Sequence, residues 1–215
     1  MQFEKKQLLC YAVTDRSFCG RQTLYEQIED ALLGGVTMLQ LREKNLTEED
    51  FFKEAVEVTK LCHRYGVPCI INDNVTIALR SHADGVHLGI SDAPVKEVRA
   101  LAGKNFIIGA TAKTVEQARA AEAAGADYLG VGAVFPSPTK QNAIRITAEQ
   151  MKEICASVSI PAAAIGGICA SNIEQLDGSG VRGIAVVSSL FGAEDIRGAA
   201  GILRKKMEAL LAVSE

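Results

Sequence analysis

A single-domain (β/α)8 barrel spanning residues 1–215 is the fold class this sequence predicts. Two observations carry the prediction. Eight apolar, β-like runs recur along the chain, most followed by a polar loop, an amphipathic helical stretch and a glycine. The length of 215 residues also lies in the roughly 200–250 that such a barrel typically needs. The runs are Leu8–Thr14, Met38–Glu43, Pro68–Asp73, Gly85–Gly89, Phe106–Thr111, Tyr128–Phe135, Pro161–Gly166 and Gly183–Ser188. Most are continuous rather than alternating, as expected of parallel strands covered on both faces. A doubly wound open sheet is the competing architecture. It usually has fewer strands and a glycine-rich first turn, whereas Thr14-Asp-Arg-Ser-Phe-Cys-Gly20 contains no G-x-G-x-x-G.

Helix starts are marked by Thr23/Glu26, Thr47/Asp50, Thr114/Gln117, Thr147/Gln150 and Ser171/Glu174. Each resembles a capping box, in which a hydroxyl and a side chain three residues on satisfy amides that have no partner within the helix. Glycines mark the ends at Gly34-Gly35, Gly66, Gly103, Gly125 and Gly180. Helical apolar spacing is clear in Leu24, Ile28, Ala31 and Leu32, and again in Phe51, Ala55, Val58 and Cys62.

A formal net charge of −3 argues against a general nucleic-acid surface, which needs a basic field. Any cationic patch must therefore be local. The six cysteines show no CxxC pair and no metal-ligand spacing, so they read as buried thiols of a reducing, cytoplasmic protein. Met1-Gln-Phe-Glu-Lys-Lys6 opens no signal-peptide apolar region, and no apolar run approaches the roughly 18 residues of a membrane span. Neither nucleic acid nor membrane is therefore expected as a partner. A homo-oligomer is compatible with this composition.

Chemistry is expected where the runs end, because parallel strands deliver their C-terminal ends to one face. After Leu39 and Leu41, period-two geometry sends Gln40, Arg42 and Lys44 to one side, into the mouth if the leucines face the helices. Read alone, the two cations are as readily solvated loop charges as a phosphate site. Asn72 and Asp73 follow Cys69-Ile-Ile71, and Asp92 follows the next run. Two aspartates from neighbouring strand ends can share a hard cation such as Mg²⁺, or each can simply cap a helix, near Asn74 and Pro94 respectively. Pro136-Ser-Pro-Thr-Lys140 is a stiff loop presenting two hydroxyls and an ammonium. Ile165-Gly-Gly-Ile168 and Val186-Val-Ser-Ser189 end the last two runs, where barrels commonly build a phosphate cup from backbone amides. His63 and His82 read as structural or solvated, and His87 as a satisfied core histidine. No Ser/His/Asp or Cys/His arrangement appears.

Taken in order, these segments resemble the thiamine-phosphate synthase (thiamine-phosphate pyrophosphorylase) family. The resemblance lies in Tyr11-Ala-Val-Thr-Asp15, Leu39-Gln-Leu-Arg-Glu-Lys44, Ile71-Asn-Asp73, Gly85-Val-His-Leu-Gly89, Ile108-Gly109, Phe135-Pro-Ser-Pro-Thr-Lys140, Ile165-Gly-Gly-Ile168 and Val186-Val-Ser188. It spans nearly the whole chain. It implies a transferase that condenses 4-amino-5-hydroxymethyl-2-methylpyrimidine diphosphate with 4-methyl-5-(2-hydroxyethyl)thiazole phosphate, with Mg²⁺ as cofactor. Carried over by motif position, it implies Gln40 and Asn72 on pyrimidine and diphosphate, Thr111 near the pyrimidine, and Arg42, Lys44 and Lys140 on the diphosphate. Asp73 and Asp92 would hold Mg²⁺. Ser137 and Thr139, with amides around Gly167, Val187 and Ser188, would hold the thiazole phosphate.

The chain departs from the family at Ile90, where Gln is frequent, and at Thr111 and Ser137, where Ser and Thr are usual. It departs again over Gln141-Asn-Ala-Ile-Arg145. The implied route is a dissociative, carbocation-like departure of diphosphate that needs no protein nucleophile or general base. A related isomerase, thiazole tautomerase, would need only the thiazole-phosphate cup. A non-catalytic thiazole-phosphate binder would bind without turnover.

Overall fold

The computed structural model describes residues 3–136 and 144–213. Its eight parallel strands close into a barrel in chain order. They are β1 (Cys10–Val13), β2 (Met38–Leu41), β3 (Cys69–Asn72), β4 (Gly85–Leu88), β5 (Ile107–Ala112), β6 (Tyr128–Gly132), β7 (Ala162–Ile165) and β8 (Gly183–Val186). Each lies within one of the expected runs, apart from the last residue of β5. Pairing of Tyr11 with Ala185 joins β1 to β8 and closes the ring. The helices are α1 (Leu24–Leu33), α2 (Glu48–Arg64), α3 (Val75–Arg80), α4 (Val95–Ala102), α5 (Val115–Ala123), α6 (Ala148–Ala156), α7 (Ser188–Phe191) and α8 (Ile196–Val213). No helix among the described residues is long and apolar enough to cross a membrane.

Two of the expected capping boxes close fully and two only by half. Thr23/Glu26 and Thr147/Gln150 close reciprocally. At Thr47 the hydroxyl accepts from the Asp50 amide, but Asp50 is a methylene shorter than Glu, and its carboxylate accepts from the Thr47 hydroxyl instead of the backbone. Thr114 accepts from the Gln117 amide, while Gln117 Oε1 accepts from the Lys113 amide. The Ser171/Glu174 expectation is corrected. Between β7 and β8 the chain makes only a 3₁₀ turn, Ile173–Leu176, preceded by Asn172. Gly178 and Gly180, at φ 66° and 84°, bend the backbone into the left-handed region and stop any helix there.

The two faces of each strand serve two cores. Leu39, Leu41, Cys69, Ile71, Val86, Leu88, Ile108 and Leu129 pack outward against the helices. Tyr11, Val13, Met38, Ile70, Ile107, Tyr128, Ala163 and Ala185 fill the barrel interior. Tyr128 dominates the interior. Its ring stacks on Phe3 at 5.6 Å and meets Tyr11 edge-on at 5.8 Å. Room for it comes from Gly109 on the neighbouring strand, where an added Cβ would lie 2.2 Å from Tyr128 Cζ and 2.5 Å from His87 Nδ1. Gly109→Ala is therefore expected to destabilise the fold by about 1–3 kcal/mol, the usual cost of overpacking a close-fitted core. Urea denaturation reads this directly, and an unchanged midpoint would show that the interior has slack.

Candidate active site

Gln40, Arg42, Asn72, Thr111, Gly167, Val187 and Ser188 all line one cleft at the C-terminal mouth of the barrel. Leu39 and Leu41 face the helices, and this orientation sends Gln40 and Arg42 inward, as the strand periodicity requires. Ser137, Thr139 and Lys140 lie outside the described residues.

Arg42 is positioned from the backbone upward. Its amide donates to Thr14 Oγ1 at 2.9 Å, which ties the end of β2 to the end of β1. Its guanidinium approaches Asp15 Oδ2 at 3.6 Å. Asp15 in turn is held by the amide and hydroxyl of Ser17, at 3.0 and 2.7 Å, across the start of the 3₁₀ turn Arg16–Phe18. Neighbouring Glu43 points away from the mouth and pairs with Arg16, which also binds Glu54.

The next strand ends build the rim. Lys44 Nζ lies 2.7 Å from Asp73 Oδ2. Asp73 has φ 61°, a left-handed conformation that Asp tolerates better than most side chains. Asp73 does not cap α3; the cap is Asn74, whose Oδ1 accepts from the Ile77 amide at 2.9 Å. Nor does Asp92 cap α4, whose start at Pro94 has no side-chain cap. Asp92 Oδ2 instead accepts from the Gly89 amide, and its carboxyl meets that of Asp73. Burial works to raise Asp73, but hydrogen bonds with Asp92 and Lys44 outweigh it and hold the carboxyl below its usual range. Asp92 is pushed upward, first by burial and then by Asp73. Two hard oxygen donors thus converge on one point of the rim, a donor set that fits a divalent cation such as Mg²⁺. Ile90, between these elements, is 56% exposed and supplies no polar group.

Across the mouth, Gly166 and Gly167 follow β7 with φ 100° and 66°. A Cβ on Gly167 would lie 2.3 Å from the Pro136 carbonyl oxygen, so glycine is needed for the loop after β6 to dock here. The Phe135 amide donates to Gly166 O at 2.9 Å, and Asn172 Nδ2 donates to Gly167 O at 2.9 Å. Opposite, Val187 follows β8 and precedes α7, which begins at Ser188, and its carbonyl accepts from the Leu190 and Phe191 amides.

The floor of the cleft was not legible from the sequence. Tyr11, Tyr128 and His87 form a buried polar run between Gln40 and Thr111. His87 is indeed a satisfied core histidine, and it is 9% exposed. The available clue was period two: Tyr11 and Val13 share a parity, as do Tyr128 and Gly130. His63 pairs with Asp84 on the outer surface. All six cysteines are unpaired. Cys10, Cys62 and Cys69 are buried as expected, while Cys19, Cys155 and Cys169 are only half-buried.

The fold and this mouth define a (β/α)8 barrel with its candidate site at the C-terminal face, where such barrels carry their active sites. Residues 10–190 match the family model described as thiamine monophosphate synthase. The thiamine-phosphate synthase of Ruminiclostridium cellulolyticum is 46% identical over 190 residues, covering 88% of this chain and 90% of the relative. Thiamine-phosphate synthase 2 of Streptococcus pneumoniae serotype 4 is 42% identical over 207 residues, covering 96% and 99%. The solved thiamine phosphate pyrophosphorylase of Pyrococcus furiosus superposes with a TM-score of 0.88 at 39% identity, covering 96% of this chain and 98% of that one. The chain belongs to the thiamine monophosphate synthase family, and the function this assigns is that of a thiamine-phosphate synthase, a transferase.

Proposed function

We propose that the whole chain acts as one catalytic unit that joins 4-amino-5-hydroxymethyl-2-methylpyrimidine diphosphate to 4-methyl-5-(2-hydroxyethyl)thiazole phosphate, releasing thiamine phosphate and diphosphate. The observation that carries this reading is the convergence of Arg42 in the cleft with Lys44, Asp73 and Asp92 on its rim. A thiazole-phosphate cup alone would not need that set.

In this reading Gln40, Asn72 and Thr111 hold the pyrimidine end, and Arg42, Lys44 and Lys140 draw the diphosphate into the mouth. The C–O bond between the pyrimidine methylene and the diphosphate breaks with its electron pair leaving on oxygen, and the electron-rich aminopyrimidine carries the positive charge. The thiazole nitrogen then bonds to the methylene carbon. Ser137, Thr139 and the amides near Gly167, Val187 and Ser188 hold the thiazole phosphate so that this nitrogen is aligned. Asp73 and Asp92 would hold Mg²⁺, which when bound neutralises developing charge on the leaving diphosphate. No side chain is asked to serve as nucleophile or general base. Unpaired thiols support a reducing, cytoplasmic setting, and the partners are the two small substrates.

The test is thiamine phosphate formation from the two substrates and purified protein, with Mg²⁺ and then with EDTA. Chelation is expected to lower the rate at least about 10²-fold, since such a metal contributes several kcal/mol, and added Mg²⁺ should restore it. No product from folded protein that still binds thiazole phosphate would overturn the synthase reading in favour of a tautomerase or a binder.

A further inference from the structure

The polar run in the barrel floor is continuous. Gln40 Nε2 donates to Tyr11 Oη. Tyr11 Oη and Tyr128 Oη are 2.8 Å apart, Tyr128 Oη and His87 Nδ1 are 3.2 Å apart, and His87 Nε2 and Thr111 Oγ1 are 3.1 Å apart. Distances alone do not say which way the hydrogens point, but counting protons does. Burial is the largest influence on both phenols and pushes each upward, so each keeps one proton to place.

Tyr11 already accepts from Gln40. Among the described residues, the acceptor offered to its proton is Tyr128 Oη. Tyr128, accepting there, places its own proton on His87 Nδ1. An imidazole that accepts at Nδ1 carries its hydrogen on Nε2 and donates it to Thr111. Thr111 then accepts from His87 and has its own proton left for the cleft it lines. The opposite polarity starts with a hydrogen on Nδ1, in the other tautomer or in the imidazolium. Tyr128 would then donate to Tyr11, and with Gln40 presenting Nε2 the Tyr11 proton would be stranded in a side chain that is 2% exposed. Buried donors are rarely left so.

We propose that the floor is a one-directional relay, Gln40 to Tyr11 to Tyr128 to His87 to Thr111, that makes Thr111 an obligate hydrogen-bond donor into the mouth. Thr111 is thereby a specificity-determining residue. Its proton recognises an acceptor, a ring nitrogen of the heterocycle. Tyr11, Tyr128 and His87 are positioning residues that act through it. The polarity rests on the protein alone; the heterocycle as its target rests on the pyrimidine diphosphate reading above.

The first experiment is two-bond ¹H–¹⁵N correlation on ¹⁵N-histidine-labelled protein without substrate at neutral pH, with His63→Gln and His82→Gln used only to assign the signals. His87 is expected as the Nε2–H tautomer. An Nδ1–H tautomer or an imidazolium overturns the relay, whether or not the protein turns over any substrate. The second experiment measures KM for the pyrimidine diphosphate. Thr111→Val is expected to raise it about tenfold, the usual worth of one hydrogen bond, with thiazole-phosphate KM unchanged, while Thr111→Ser stays close to the parent. An unchanged KM in Thr111→Val overturns the donor role. Tyr128→Phe removes the proton that fixes the imidazole and is expected to give a mixture of His87 tautomers. A single Nε2–H form there would show that Tyr128 does not set the polarity.

Discussion

Asp73→Asn is expected to lower turnover to thiamine phosphate by about 10²- to 10³-fold, the range seen when one preorganised electrostatic stabiliser is removed, and to raise the Mg²⁺ concentration needed for half-maximal rate. Asparagine is the informative replacement. At φ 61° an alanine would add strain of roughly 1–2 kcal/mol, whereas Asn shares the tolerance of Asp for the left-handed region. Asn also keeps the side chain's shape while removing its charge. The fold should barely notice. The Lys44–Asp73 pair has side chains 50% and 32% exposed, so its loss is worth at most about 1 kcal/mol, and the cap of α3 belongs to Asn74. A normal Mg²⁺ dependence in a slower enzyme would remove Asp73 from the metal and leave it as the partner of Lys44. Asp92→Asn should slow turnover similarly but cost somewhat more stability, since its carboxylate also accepts the Gly89 amide.

How far these outcomes could be foreseen differs between residues. The barrel was legible because parallel strands covered on both faces must be apolar almost throughout, and all eight runs hold strands. The rim was legible from adjacency. β2 pairs with β3 and β3 with β4, so Lys44, Asp73 and Asp92 had to emerge side by side. Which of two roles an aspartate takes was not legible, because capping depends on one backbone rotation. Asp73 turns to positive φ and leaves the cap to its neighbour. The segment after β7 misled for a related reason. Ser171 and Glu174 have capping-box spacing, but Asn172 is engaged with Cys169 and Gly167, and Gly178 and Gly180 redirect the chain. The floor was hardest. Tyr11 and Tyr128 are 117 positions apart, and in a buried strand a tyrosine reads like any other apolar residue until closure of the barrel sets the hydroxyls face to face.

Arg42→Ala should be the most damaging change among the described cations. Its guanidinium lines the cleft itself, whereas Lys44 stands on the rim and already shares its charge with Asp73. If Arg42 grips the diphosphate, kcat/KM for the pyrimidine substrate should fall about 10²- to 10³-fold, while the affinity for thiazole phosphate changes little. Arg42→Lys should recover only part of the loss, because an ammonium is a point charge and cannot offer two parallel N–H donors to neighbouring phosphate oxygens. Asp15 makes the argument sharper. At 3.6 Å from the guanidinium it is close enough to orient Arg42 but too long for a well-formed hydrogen bond, which leaves donors available to a ligand. Asp15→Asn should therefore loosen Arg42 and cost far less than loss of Arg42 itself. Equal losses in the two variants would mean that the pair works as a structural clasp between β1 and β2, and an unchanged kcat/KM in Arg42→Ala would remove it from the diphosphate site.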